Sequence, residues 1–171
     1  MAFIGIVAQK KEENDIEKNL KSYFEIYGQK HTIFPIQSDN IENMKNVKFE
    51  TILMCADTIC KEKQECLRQM IQSAAYVIVN ADSVKTTILK ETKAMIITYG
   101  FQAKATITMS SINDEDMILC IQREFVNINH INVEPQEISI SLNKLLGNKY
   151  SKMGSFVLEL LYESQKNKKS Y

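Results

Sequence analysis

The sequence has no long apolar run, little glycine or proline, and no net charge. No stretch approaches the ~18 consecutive apolar residues that a membrane-spanning helix needs, so we expect no membrane segment. Only 5 glycines and 2 prolines occur in 171 residues, which argues against a disordered or linker-rich chain. Basic and acidic residues number 21 each, and this balance indicates neither a nucleic-acid partner nor binding to an anionic membrane surface.

The cysteines also lack a metal-binding pattern. Cys55, Cys60, Cys66 and Cys120 include no C-x-x-C pair, so we expect no zinc and no other metal site. We interpret them as reduced, mostly buried thiols of a cytosolic protein. The N-terminal stretch is too short and too soon acidic for a signal peptide, which also favours a cytoplasmic location.

The composition that is present is that of one globular domain spanning residues 1–171. Short apolar runs alternate with helical patterns over residues 1–100, and this alternation predicts βαβ units. The fold class is therefore α/β, with a mainly parallel sheet covered by helices on both faces. The predicted strands are residues 3–8, 31–36, 51–56, 75–80 and 94–100, of which the second lies at the sheet edge because it contains Pro35.

Two helices are predicted between these strands. The first is capped by Asn14 or Asp15, buries a stripe of Ile16, Leu20 and Phe24, and ends at Gly28. The second follows a cap at Asp57 or Thr58 and carries apolar residues as far as Ile71. Residues 37–48 are polar and predict a loop, and residues 84–91 predict a short helical segment.

The hydrophobic period changes after Gly100. Apolar and polar residues then alternate, which is typical of half-exposed antiparallel strands. We predict a separate three-stranded antiparallel β-subdomain over residues 101–142, with polar hairpin turns at 113–116 and 127–132. Residues 143–171 predict a loop, a C-terminal helix and a tail. The helix would bury Met153, Val157, Leu160 and Leu161.

Residues 76–112 resemble the end of the central domain of the Mur ligases, a family that includes folylpolyglutamate synthetase as a relative. The family pattern is a strand ending in N-x-D-D, a short helix, a strand ending in Y-G, and an antiparallel subdomain. Asn80 and Asp82 match the first motif, although Ser83 replaces the second acid. Tyr99-Gly100 matches the second motif.

A later segment, residues 142–162, is similar to the family's L-x-G-x-H-N-x-x-N-x-x-A-A stretch. Leu146-Gly147-Asn148 keeps its spacing without the His-Asn pair. The family's first and last domains have no counterpart in a chain of this length. The resemblance implies a nucleotide-binding-like sheet of the Rossmann or P-loop type.

The resemblance to the Mur ligases also implies a remnant nucleotide site at Gly5, Asn80 and Asp82. Gly5 would lie in the strand that leads to the phosphate loop, and Asn80 would contact the base. Asn80 also fits a local turn at a strand end, and we leave both interpretations open. Asp82 is better explained as a cap of the following helix than as a metal ligand.

The residues that a phosphate loop requires are missing. Such a loop needs glycines for close backbone approach, a lysine for the β- and γ-phosphates and a hydroxyl for Mg²⁺. In register with Gly5, the lysine position falls on Glu12 and the hydroxyl positions fall on Glu13 and Asn14. A register shift brings Lys10 or Lys11 closer but restores neither glycines nor a hydroxyl.

The resemblance implies a Mur ligase-like domain with a regulatory, scaffold or binding role linked to cell-wall metabolism, and the missing loop residues predict that it is non-catalytic. We expect no cofactor, although a base contact leaves room for weak nucleotide binding. The alternatives are a nucleotide or UDP-sugar-peptide binder, or one part of a split ligase whose partner chain supplies the phosphate loop. A protein partner or homo-oligomer is compatible with each. His31 and His130 are interpreted as surface residues, and no catalytic constellation is found.

Overall fold

The computed structural model describes residues 2–164, which fold around an eight-stranded sheet. Its strands follow one another along the sheet in the order β10-β7-β6-β5-β4-β3-β1-β2. A small hairpin of two further strands, β8 and β9, lies beside it. The strands are β1 Ala2–Val7, β2 His31–Pro35, β3 Thr51–Met54, β4 Tyr76–Asn80, β5 Met95–Gly100, β6 Ile107–Ile112, β7 Asp116–Ile121, β8 Phe125–Val126, β9 Asn132–Val133 and β10 Gln136–Ser141.

The parallel half of the sheet confirms the predicted βαβ arrangement. Strands β1 to β6 all run parallel to one another, and β5, β4, β3 and β1 are adjacent in one sheet. The strand that contains Pro35 lies at the edge, as predicted, where a residue without an N–H group removes no hydrogen bond from the sheet interior.

The antiparallel strands correct one prediction. Strands β6, β7 and β10 do pair antiparallel to one another, but they are not a separate unit. Strand β6 joins β5 in parallel, at Tyr99–Ile107 and Gly100–Thr108, so one sheet continues across the junction. An alternating pattern indicates a half-exposed strand, but it does not indicate which neighbouring strand that strand pairs with. Strand β6 also begins only at Ile107, because residues 101–106 form the turn that brings it alongside β5.

Helices cover both faces of the sheet, as predicted. The three α-helices of the described residues are α1 Lys10–Ile26, α2 Gln64–Ser73 and α3 Lys149–Tyr162. Helices α1 and α3 pack together over one face and α2 packs on the other. Helix α3 is buried on nearly all sides, because apolar residues of β7 and β10 join the same core cluster. No helix in residues 2–164 is long and apolar enough to cross a membrane.

The observed end of α1 agrees with the sequence prediction, whereas the observed starts of α1 and α2 do not. Helix α1 ends as predicted: Gly28 has φ +64°, and the Gln29 N–H donates to the Phe24 carbonyl at 2.8 Å, which closes the helix with a left-handed turn. Its start is wrong by several residues, because Asn14 is an exposed residue within the helix rather than its cap. Helix α2 likewise begins at Gln64, after a 3-10 turn at Lys61–Lys63, and not beside Asp57 or Thr58.

The buried thiol of Cys55 predicts a loss of stability in alkali. Burial raises the pKa of Cys55 from 9.0 to about 12, while the thiol of the unfolded chain still ionises near 9. Above pH 9 the unfolded state releases a proton that the folded state keeps, so stability falls as pH rises. We expect this thiol to lower the free energy of unfolding by roughly 2 kcal/mol at pH 10.5 relative to pH 8. The loss is measured as a lower midpoint of urea unfolding at the higher pH.

The control is the variant Cys55→Ala, which removes this titration and should show a shallower decline between the two pH values. Buried tyrosines contribute in the same direction, because burial also raises the pKa of Tyr99. An unchanged pH slope in Cys55→Ala would show that the thiol is not the titrating group.

Candidate functional site

The sheet has a topological switch point at β1, where the order of successive strands reverses. Strand β1 lies between β2 and β3, so the chain first moves to one side of β1 and then to the other. In open α/β sheets, ligands bind beyond the carboxyl ends of the two strands at such a switch point. The first turn of α1 lies there, directly after β1, and it is the place to look for a phosphate site.

The connection from β1 to α1 is too short for a phosphate loop. Strand β1 ends at Val7 and α1 begins at Lys10, which leaves only Ala8 and Gln9 between them. A phosphate loop has several residues between strand and helix, so that successive backbone N–H groups can surround the phosphates. Two residues cannot form such a cradle.

A buried carboxylate lies beside this short connection. The Glu13 side chain is 3% exposed, and its Oε2 accepts a hydrogen bond from Gln37 Nε2 at 2.6 Å. Its Oε1 accepts from Lys10 Nζ at 2.9 Å. The same Gln37 Nε2 donates to the carbonyl of Ala8 at 3.0 Å. The hydrogen bond to Glu13 raises the pKa of Lys10, so the Lys10 ammonium remains charged at neutral pH.

The neighbouring acid is also used within the fold. Asn148 Nδ2 donates to Glu12 Oε1 at 3.1 Å. Asn148 is at the same time the N-cap of α3, because its Oδ1 accepts from the Ser151 N–H at 2.9 Å. Thus Glu12 joins the first turns of α1 and α3, and both acids lie in the first turn of α1.

Asn80 lies at the end of β4 and its amide is occupied by three hydrogen bonds within the protein. Its Nδ2 donates to the Cys55 carbonyl at 3.1 Å and to Ser83 Oγ at 3.2 Å. Its Oδ1 accepts from the Asp82 N–H at 3.0 Å. The side chain is buried and links the carboxyl ends of β3 and β4. This geometry is that of the strand-end turn.

Asp82 joins three elements rather than capping one helix. Its Oδ2 accepts from the Phe101 N–H at 2.6 Å and from Tyr150 Oη at 3.2 Å. The following 3-10 helix, Thr86–Leu89, instead has Lys85 at its N-cap position, so the predicted capping role is wrong. Partial burial and the charge of Asp82 raise the pKa of Tyr150, which keeps the hydroxyl protonated as the donor.

Gly5 is placed inside the sheet rather than beside a ligand. It lies in the middle of β1, and a Cβ atom built on it would approach Ile36 Cδ1 to 2.5 Å and Phe49 Cδ1 to 3.2 Å. Its small size therefore serves side-chain packing on the α2 face. Of the three residues in the predicted remnant site, Asn80 and Asp82 are brought together, and Gly5 is not part of their hydrogen-bond network.

Sequence reasoning missed Gln37, Asn148 and Tyr150. Gln37 is the first residue of the predicted loop, and no local pattern predicts its hydrogen bond to a carboxylate 24 residues earlier. His31 corrects another expectation, because its ring is half-buried between Phe24 and Tyr162 and burial lowers its pKa. His130 is exposed, as predicted. Within residues 2–164, no cluster of His, Cys, Asp and Glu is arranged to hold a metal.

No protein-family model matches the chain, and no curated protein matches it. The resemblance to the Mur ligases therefore stays a prediction from the sequence motifs around Asn80, Tyr99-Gly100 and Leu146-Gly147.

Proposed function

We propose that this chain is a non-catalytic Mur ligase-like domain that acts by binding, as a regulatory or scaffold protein linked to cell-wall metabolism. The sequence resemblance supplies the family and the biological setting. The observation that carries the loss of ATP handling is the two-residue connection from Val7 to Lys10, with the buried carboxylate of Glu13 beside it.

Charge and space both work against a triphosphate at this place. Two like unit charges at ~4 Å repel by roughly 4 kcal/mol in a surface-like dielectric. The Glu13 carboxylate is held by Gln37 and Lys10, so moving it away would break both contacts. The Lys10 ammonium, which a triphosphate would need, is already paired with Glu13.

A base contact through Asn80 offers little affinity. Its amide would first have to release Cys55 and Ser83, and a hydrogen bond contributes a net ~0.5–1.5 kcal/mol. A millimolar dissociation constant already requires about 4 kcal/mol. One or two such bonds therefore support no useful nucleotide affinity.

Titration calorimetry with Mg-ATP and with adenosine tests the proposal. We expect no binding heat for Mg-ATP at up to about 1 mM, either in the natural chain or in Glu13→Gln, which removes the charge at nearly constant shape. Because the short connection persists in that variant, removing the charge alone does not create a phosphate site.

Two outcomes would overturn this proposal. A micromolar dissociation constant for Mg-ATP that rises in Lys10→Ala or Lys11→Ala would reveal a working phosphate site. Equal binding of adenosine and ATP, lost in Asn80→Ala, would instead identify the chain as a nucleotide binder that uses base contacts.

A further inference from the structure

A large cavity lies away from the switch point, between helix α1, helix α3 and the edge strand β10. Its volume is about 850 Å³. Helix α1 forms one wall, and Ser139–Ser141 of β10 with the loop that follows forms the other. Phe156 of α3 and Ile140 are buried residues that line the cavity between these walls. We call this space the β10 groove.

The main chain of β10 has unused hydrogen-bonding groups on the groove side. Strand β10 is the last strand of the sheet, and no strand within residues 2–164 pairs with its outer side. The Leu142 N–H donates to the Glu115 carbonyl at 2.8 Å, which fixes the phase of the ladder with β7. Because hydrogen-bonded pairs alternate in an antiparallel ladder, Ile140 faces β7 while Ser139 and Ser141 direct their N–H and C=O groups outward.

Two exposed apolar side chains flank this free edge. Ile26 is 75% exposed and Leu146 is 51% exposed, and they are the two most exposed large apolar residues of the described chain. Both line the β10 groove, on opposite walls. Exposed apolar residues that converge on one cavity indicate a binding surface more strongly than the same residues scattered.

The groove carries positive charge at one end. Lys18 of α1 and Lys144, just after β10, both line it. They lie at the level of Asn19, whose side chain bonds the backbone of Leu146 at 2.9 and 3.1 Å. The lining acid Glu159 lies further along, where Tyr23 Oη donates to its backbone carbonyl. Four residues of α1, or ~6 Å, separate these two levels.

We propose that the β10 groove binds an extended peptide of a partner protein, which adds to the sheet as a strand beside β10. Its backbone pairs with the outward groups of Ser139 and Ser141. Alternate apolar side chains point toward Phe156 and Ile140, and a carboxylate, either acidic or C-terminal, lies beside Lys18 and Lys144. A groove between an edge strand and a helix is a recurring site for such strand addition. This inference does not depend on the Mur ligase resemblance.

The experiment begins with a display library of random heptapeptides that have free C termini, selected on the immobilised full chain. Selected sequences, labelled with fluorescein, are then titrated by fluorescence anisotropy. We expect enriched peptides with apolar residues at alternate positions and a terminal or acidic carboxylate. A library that yields no binder tighter than about 100 µM overturns the proposal.

The backbone contact is tested by a matched pair of proline variants. Ser139→Pro removes an outward N–H inside the groove, whereas Glu137→Pro removes an outward N–H outside it. Both leave the ladder with β7 intact, since neither N–H points toward β7. We expect at least a fivefold weakening for Ser139→Pro and a change of less than about twofold for Glu137→Pro.

The charge contact is tested independently of strand geometry. Lys144→Glu should weaken the selected peptide at least tenfold and lessen its salt dependence, while Lys104→Glu, an exposed change outside the groove, should not. Equal effects of the two charge changes would contradict the proposed orientation. Sedimentation of the natural chain gives the remaining outcome: a dimer that Ser139→Pro dissociates would assign the groove to a second copy and overturn a foreign peptide.

Discussion

Replacing Asn127 by Ala should lower the free energy of unfolding by roughly 3 kcal/mol, because the side chain is buried and all of its hydrogen-bonding capacity is used. Its Nδ2 donates to the carbonyls of Leu160 and Glu163, at 3.2 and 2.8 Å. Its Oδ1 accepts from the N–H groups of Asn129 and Ile131, both at 3.0 Å. One amide therefore joins the β8–β9 hairpin to the C-terminal end of α3.

The cost comes from the groups left behind rather than from the bonds alone. Alanine takes one partner away from backbone groups of both elements, and each buried group left unsatisfied costs ~1–3 kcal/mol. Partial compensation is available, since Asn129 Nδ2 also donates to the Glu163 carbonyl at 2.9 Å. The expected loss of roughly 3 kcal/mol therefore corresponds to about two unsatisfied groups rather than four.

Urea unfolding followed by circular dichroism measures the loss. With a slope of ~2 kcal/mol/M, the midpoint should fall by roughly 1.5 M. Asn113→Ala is the matched control, because Asn113 Oδ1 also accepts two backbone N–H groups, at 2.8 and 2.7 Å, in an exposed turn. We expect a loss below about 1 kcal/mol there, since water replaces the lost acceptor. Equal losses at the two positions would contradict the argument from burial.

The parallel half of the fold was predictable because its information is local. Each buried strand is a short apolar run, and runs such as residues 51–56 and 75–80 are followed by helical patterns. Parallel strands need a crossover, so the order of apolar runs and helices already implies a parallel sheet. The edge position of β2 was likewise readable from one residue, Pro35.

The antiparallel half was predicted less well, because hydrophobic periodicity does not show which strands pair or where the turns between them lie. The alternation after Gly100 gave strand type correctly, but the pairing of Tyr99 with Ile107 depends on a turn at residues 101–106. That turn is fastened by reciprocal bonds between Thr98 and Thr106, the closer at 2.9 Å. No periodicity encodes such a bond.

The candidate site shows the same division. Glu12 and Glu13 were identified from sequence as residues that oppose a phosphate. Both lie in the first turn of α1, whereas the cap predicted at Asn14 or Asp15 placed them before the helix. Their partners, Asn148 and Gln37, are 136 and 24 residues away and could not be assigned. The start of α1 at Lys10 was missed because Gln9 makes no side-chain cap, so no capping residue marks the boundary.

Gly100→Ala should destabilise the chain by roughly 3 kcal/mol, since two separate penalties meet at this residue. Gly100 has φ +150°, a conformation that residues with a Cβ rarely adopt. A Cβ atom there would also lie 2.6 Å from Asp82 Oδ2. That carboxylate cannot move freely, because it accepts hydrogen bonds from the Phe101 N–H and Tyr150 Oη.

Two further variants separate the backbone penalty from the steric one. Gly28→Ala has only the backbone penalty, because φ is +64° and no atom lies within 4 Å of the added Cβ; we expect a loss of about 1 kcal/mol. In the double variant Gly100→Ala with Asp82→Ala, the collision is gone. If that collision contributes as argued, the losses of the two single changes are not additive, and the double variant is at least ~1 kcal/mol more stable than their sum predicts. Strict additivity in urea unfolding would show instead that the backbone conformation of Gly100 alone requires glycine.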